Sequence, residues 1–103
     1  MRPTRLDPEH PWARWAVASI EETAQRPVAV VPNLGGSLPN DVFAETLGLP
    51  TIWVPHSYPG CSQHAPNEHV IAATCRDALR IMTGLWWDLG AGGTPSSEAV
   101  DPA

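Results

Sequence analysis

The stretch "VAVVPNLGGSLPNDVFAETLGLPTIWVP", residues 28–55, decides how the chain is read. "VAVV" at 28–31 is a continuous apolar run of β-branched type between prolines, which suits a strand buried on both faces of a parallel sheet. A pair of glycines follows. "PNDVFAETLG" at 39–48 then has Val42, Phe43, Ala44 and Leu47 as an apolar set and Gly48 as a stop, so a short helix is expected. "PTIWVP" at 50–55 reads as a second strand. Strand, glycine turn, helix and strand in that order make a βαβ crossover, and a crossover implies parallel strands.

Working outward, "DPEHPWARWAVASIEETAQ" at 7–25 reads as a helix. Asp7 can cap it, and both Pro8 and Pro11 fall where amides lack an intrahelical acceptor. Trp12, Trp15, Ala16, Ser19, Ile20 and Thr23 recur at helical spacing, and Pro27 ends the run. On the other side, Asn67 is a good N-cap and Glu68 suits the first turn. Ile71, Cys75, Ala78, Met82, Leu85 and Leu89 are then spaced by three or four, with Cys75 expected in the core and Gly90 as the C-terminal stop. Residues 91–103 have no periodicity and are expected to form a mobile tail beyond a folded segment 1–90. The expected architecture is α/β, in the order α-β-α-β-α. Two strands with both edges open make a poor sheet, so the sheet should be partial, a fragment of a larger open parallel one.

Composition narrows the class. At 103 residues there is room for one small domain with a thin core, and 12 prolines with 8 glycines describe a chain heavily punctuated by turns. A formal charge of −5, with six Lys and Arg and no basic cluster, argues against nucleic acid and acidic membrane surfaces as partners. No apolar run approaches the roughly 20 residues that span a bilayer. Cys61 and Cys75 do not make a disulfide framework, which fits a soluble, cytoplasmic chain with free thiols. Five tryptophans in so short a chain bring more apolar area than such a core easily covers; most should be internal, or some should face a partner.

Two stretches can carry chemistry. In "GGSLP" at 35–39, paired glycines before a helix leave backbone N–H groups exposed near a positive helix end, where a carboxylate or phosphate can sit; a plain tight turn is the alternative. In "GCSQHAPNEH" at 60–69, preceded by His56, the side chains of His56, Cys61, His64 and His69 are all possible zinc ligands. Their spacing, H-x4-C-x2-H-x4-H, is not a known structural clamp, and the same groups can simply cap and bond the loop. A Cys61–His64 nucleophilic pair lacks an assignable oxyanion hole or orienting third group.

Taken together, "NLGGSLPNDVFAETLGLPTIWVP" and "HAPNEH" resemble the C-terminal part of the catalytic domain of the M20-family zinc metallopeptidases, the group of dipeptidases, carboxypeptidases, aminoacylases and deacylases. The G-G-S-[IL]-P form is most similar to the branch with carnosine dipeptidase and cytosolic non-specific dipeptidase, and the likeness extends over residues 5–90. The resemblance implies that His64 is a ligand of one of two bridged zinc or manganese ions. It implies that Gly35, Gly36 and Ser37 contact the free carboxylate of a peptide or N-acyl amino acid substrate. Asn67 and Glu68 match the motif without being ligands, and are expected to cap the helix and brace the metal's surroundings. His56, Cys61 and His69 match no ligand of the family.

The family's other equipment is not in the chain: an H-x-D ligand segment, a bridging Asp, a Glu-Glu pair containing the general base, a further acidic ligand, and an inserted lid and dimerisation domain. A bridging carboxylate is needed to hold two ions roughly 3.5–4 Å apart, and one histidine cannot replace it. The resemblance therefore implies a C-terminal fragment of a metal-dependent peptidase or amidohydrolase, inactive alone, whose partner is the N-terminal remainder, with a homodimer as the complete enzyme. The missing ligands are expected upstream of Met1, in frame or behind one frameshift, within about two to three domains of about 100–200 residues. The alternatives are a small non-catalytic subunit completing a separately encoded half-enzyme, and a small zinc-binding module built on His56, Cys61, His64 and His69.

Overall fold

Two α-helices organise the molecule: α1, Pro11–Ala24, and α2, Ala72–Ala91. Between them lie one π-helical turn, Val42–Thr46, and one 3-10 turn, Pro59–Cys61. The computed structural model describes residues 1–36 and 38–96. Ser37 and the end of the expected tail, 97–103, lie outside the described residues.

The start of α1 follows from its prolines. Asp7 closes a turn, accepting the Glu9 N–H on Oδ1 at 2.9 Å and the His10 N–H on its carbonyl at 2.9 Å. His10 then takes the cap position, its Nδ1 accepting the Trp12 N–H at 3.1 Å, and Pro11 occupies the first helical position, where no N–H is needed. The helix thus begins four residues after the cap expected at Asp7. It ends as read: Gln25 turns left-handed and donates its N–H to Glu21 O, just ahead of Pro27.

α1 and α2 run antiparallel. Ser19 meets Asp88, Thr23 lies against Gly84, and Arg26 pairs with Asp77 at 3.6 Å, so α2 is descended as α1 is climbed. Ala16, Ile20 and Leu85 form the buried centre, with Trp15, Val28, Val54, Ile81 and Met82 packed partly against it. Trp12 and Trp15 meet edge to face at 5.4 Å. Buried Ser19 crosses the hairpin, its hydroxyl donating to Asp88 Oδ2 at 2.5 Å. Ser19→Ala should destabilise the fold by about 1 kcal/mol in urea unfolding, because Asp88 keeps access to water and is not stranded. An unchanged midpoint would show that the bond contributes nothing.

The α/β expectation is overturned: among the described residues there is no strand and no sheet. A strand exists only through its ladder, and two four- to six-residue runs with open edges cannot supply one. Only Val28 and Val54, one from each run, reach the hairpin core; Val30, Val31, Ile52 and Trp53 stand in solvent. The helix expected at 39–48 is shortened to a helical stretch over 40–46, π-helical over Val42–Thr46, with Leu47 N–H bonded to Val42 O and Leu49 N–H to Phe43 O. Val42, Phe43 and Leu47 are exposed, and a short helix without packing is marginal in water. Gly48 does adopt the left-handed conformation expected of a stop. The N-terminal segment holds this turn through an Arg2–Glu45 ion pair at 2.7 Å and an Asn40–Thr4 bond at 2.7 Å.

A large apolar surface remains uncovered. The chain exposes 7981 Å², whereas a close-packed monomer of 11.1 kDa should expose about 5,700 Å². Its radius of gyration is 15.0 Å against about 13 Å for a packed domain of this length. Of the tryptophans expected inside, Trp53, Trp86 and Trp87 are exposed, and so is Cys75.

Candidate functional site

The segment 58–69 folds into a loop closed on itself. Cys61 N–H bonds to Tyr58 O at 2.9 Å and Ser62 N–H to Pro59 O at 3.1 Å, which makes the 3-10 turn. Ala65 N–H returns to Ser62 O at 2.9 Å, Glu68 N–H to Ala65 O at 3.3 Å, and His69 N–H to Cys61 O at 3.0 Å. Cys61, only 3% exposed, is the loop's inward anchor, and its peptide groups tie down both ends. Gly60 fits because the Tyr58 ring occupies the space a side chain would take.

His64 sits at the apex, exposed and left-handed at φ 61°. Ser62 and Asn67 share that conformation at φ 59° and 63°. Among non-glycine residues Asn and His are the ones that enter this region most readily, so polar residues at these turns suit the backbone as well as any chemistry. His69 Nδ1–H donates to Asn67 O at 2.8 Å. A carbonyl only accepts, so in the neutral ring the proton is on Nδ1 and the Nε2 lone pair is left outward.

Several expected placements change. Asn67 is not the cap of α2, because a left-handed residue with its carbonyl turned to His69 cannot open a helix; Ile71 stands before Ala72 instead. Glu68 accordingly lies in the loop and not in the first helical turn, and both it and Asn67 are exposed. Among the described residues, no three His, Cys, Asp or Glu side chains come together to hold a metal ion, so His56, Cys61, His64 and His69 do not surround one centre. His64 is available as a single exposed imidazole donor, which fits one ligand of a shared metal site and no more.

Gly35 and Gly36 are exposed, with open space where a Cβ would stand. Neither has a positive φ, so their contribution is an unobstructed backbone, not a special turn. The helical stretch that follows them spans only 40–46 and is mostly π-helical, too short to provide the positive end of a regular α-helix. Among the described residues no hydrogen bond links this turn to the 58–69 loop. Among the described residues, no helix is long and apolar enough to cross a membrane.

Of the helical face, Ser19 and Thr23 were evident in the sequence, but their partners on α2, Asp88 and Gly84, were not. A glycine inside an otherwise strong helical pattern was the available signal for Gly84; nothing local marks Asp88. The chain matches no protein-family model, no curated protein and no solved structure.

Proposed function

We propose that this chain is the part of an M20-type metal-dependent peptidase or amidohydrolase that supplies one metal-binding imidazole, His64, and a carboxylate-receiving backbone at Gly35, Gly36 and Ser37. The observation that carries this reading is the uncovered surface. An excess of about 2,300 Å² over a packed monomer is of the size of one side of a large obligate interface, and Leu79, Trp53, Trp86 and Trp87 are among the side chains left exposed. The polypeptide that covers the larger part of it is the one bearing the remaining ligands and the general base. The motif pair "GGSLP" and "HAPNEH" supports the chemistry.

In the assembled enzyme His64 would be one ligand of a zinc or manganese site whose other ligands come from the partner polypeptide, and such a site would supply Lewis-acid activation of a scissile amide. His64 would present its imidazole to that site from the exposed apex of the 58–69 loop. The glycine turn donates backbone N–H groups to the substrate's free carboxylate, and nothing beside Gly35 or Gly36 blocks its approach. The chain by itself is inactive. Free Cys61 and Cys75 suit a cytoplasmic setting, and the complete enzyme is a homodimer.

Two measurements test this. Calorimetry on the chain alone should find zinc binding weaker than about micromolar, since one imidazole is a quarter of a zinc site; a tight one-to-one site would favour the zinc module. Mixing the chain with an M20-type catalytic half that lacks this segment should produce a stable complex and dipeptide hydrolysis. Failure of both complex formation and turnover would overturn the proposal.

A further inference from the structure

α2 carries a second apolar face that the hairpin uses only at Met82. Ala78 and Leu85 turn to the core, and Asp77, Gly84 and Asp88 face α1. On another side lie Ala72, Cys75, Leu79, Met82, Trp86 and Leu89, spaced alternately by three and four over the 20-residue helix. That spacing keeps side chains on one line facing a partner helix. Leu79 is 70% and Trp86 72% exposed; Ala72, Cys75 and Leu89 are also exposed, and Met82 is half-buried.

The line contains no charged side chain, and its hydrogen-bonding groups are the Cys75 thiol and the Trp86 indole N–H, which reaches solvent or a partner carbonyl at the edge of the ring. Thr83 beside it has its hydroxyl donated to Leu79 O at 2.7 Å, so covering the face strands no hydroxyl there. Residue size is uneven along it, small at Ala72 and Cys75 and large at Trp86 and Leu89. A parallel copy would stack tryptophan on tryptophan and leave a gap at the alanines. A reversed copy sets Ala72 against Leu89, Cys75 against Trp86 and Leu79 against Met82, so that pair volumes are far more even than in the parallel register.

We propose that the chain self-associates through this face as a two-fold dimer with the α2 helices antiparallel. The interface needs roughly 800 Å² per copy, well within the about 2,300 Å² of excess surface, which leaves room for the catalytic partner proposed above. Arg76, on the border of the face, lies opposite the Leu85 turn of the second copy. The two Arg76 side chains are then about 13 Å apart along the axis and do not repel at close range.

The test uses the whole chain and does not depend on any enzymatic role. Sedimentation equilibrium at about 100 µM should give twice the monomer mass, and Leu79→Glu should raise the dimer dissociation constant about a hundredfold or more, with the helical circular dichroism unchanged. A monomeric wild type, or a Leu79→Glu chain that dimerises equally well, would overturn the proposal. A bis-maleimide spanning about 8 Å decides the orientation, since antiparallel helices hold the two Cys75 thiols about 16 Å apart along the axis. The wild-type dimer should not cross-link, whereas Trp86→Cys, at a concentration where it is dimeric, should link its new thiol to Cys75 of the other copy. Cross-linking of the wild type through Cys75, or none in dimeric Trp86→Cys, would rule out the antiparallel arrangement.

Discussion

Replacing His64 with alanine in the assembled hydrolase should empty or loosen one metal position and reduce turnover by about a thousandfold or more, because a bridged pair of ions cannot be held in register once a ligand is gone. His69→Ala should be mild by comparison. His69 spends its Nδ1–H on Asn67 O and its main-chain N–H on Cys61 O, and the substitution removes only the first of these. A loss of about 1 kcal/mol in local loop stability is expected, with metal content intact. Metal analysis and steady-state kinetics on the two variants decide the matter. Equal losses would mean that the 58–69 loop acts as a whole and that His64 has no ligand role of its own.

Gly84→Val should destabilise the hairpin by about 2–3 kcal/mol, enough to unfold much of the population in a domain with so few buried residues. A side chain at Gly84 would overlap Thr23 Oγ1 and come within 3.2 Å of Thr23 Cβ and Cγ2. Thr23 is β-branched and helical, so its χ1 has few ways to retreat, and the helices must separate. Separation would also pull Ile20 from Leu85. Thr23→Ala in the same chain should recover part of the loss, a coupling visible in a double-mutant cycle by urea unfolding. Strict additivity of the two substitutions would show that the helices do not approach at this point.

Parts of this structure were readable residue by residue. The spacing from Trp12 to Thr23 and from Ile71 to Leu89 marked both long helices, and Pro27 and Gly48 marked stops, because these signals depend on local geometry alone. The boundaries moved where two local signals competed. Asp7 and His10 can both cap, and Pro11 decided for His10; Asn67 is as good in a left-handed turn as at a helix start, and the loop bonds decided for the turn. The strands at 28–31 and 50–55 were misread for a different reason. Apolar, β-branched runs express a preference for burial, and burial against a helix pair satisfies Val28 and Val54 without any ladder.

The candidate site divides along the same line. Which residues can do chemistry, His64 among them, is a property of their side chains and was visible in the sequence. Whether they meet was not: His56, Cys61, His64 and His69 lie within fourteen positions yet form no metal centre, because the loop's backbone bonds send Cys61 inward and leave His64 and His69 outward.

By itself the sequence determined the two helices, the stop of α1, the acidic and turn-rich character of the chain, and the set of residues available as donors, whereas α2 runs through the expected stop at Gly90 and ends at Gly92. Only the tertiary structure decided that α1 and α2 close on each other through Ser19–Asp88 and Thr23–Gly84, that the β-type runs remain without a ladder, and that Trp53, Trp86 and Trp87 face outward. The reason is the range of the forces involved. Helix periodicity and proline or glycine stops act within a few residues, whereas a ladder or a buried tryptophan requires a second surface that no local pattern specifies.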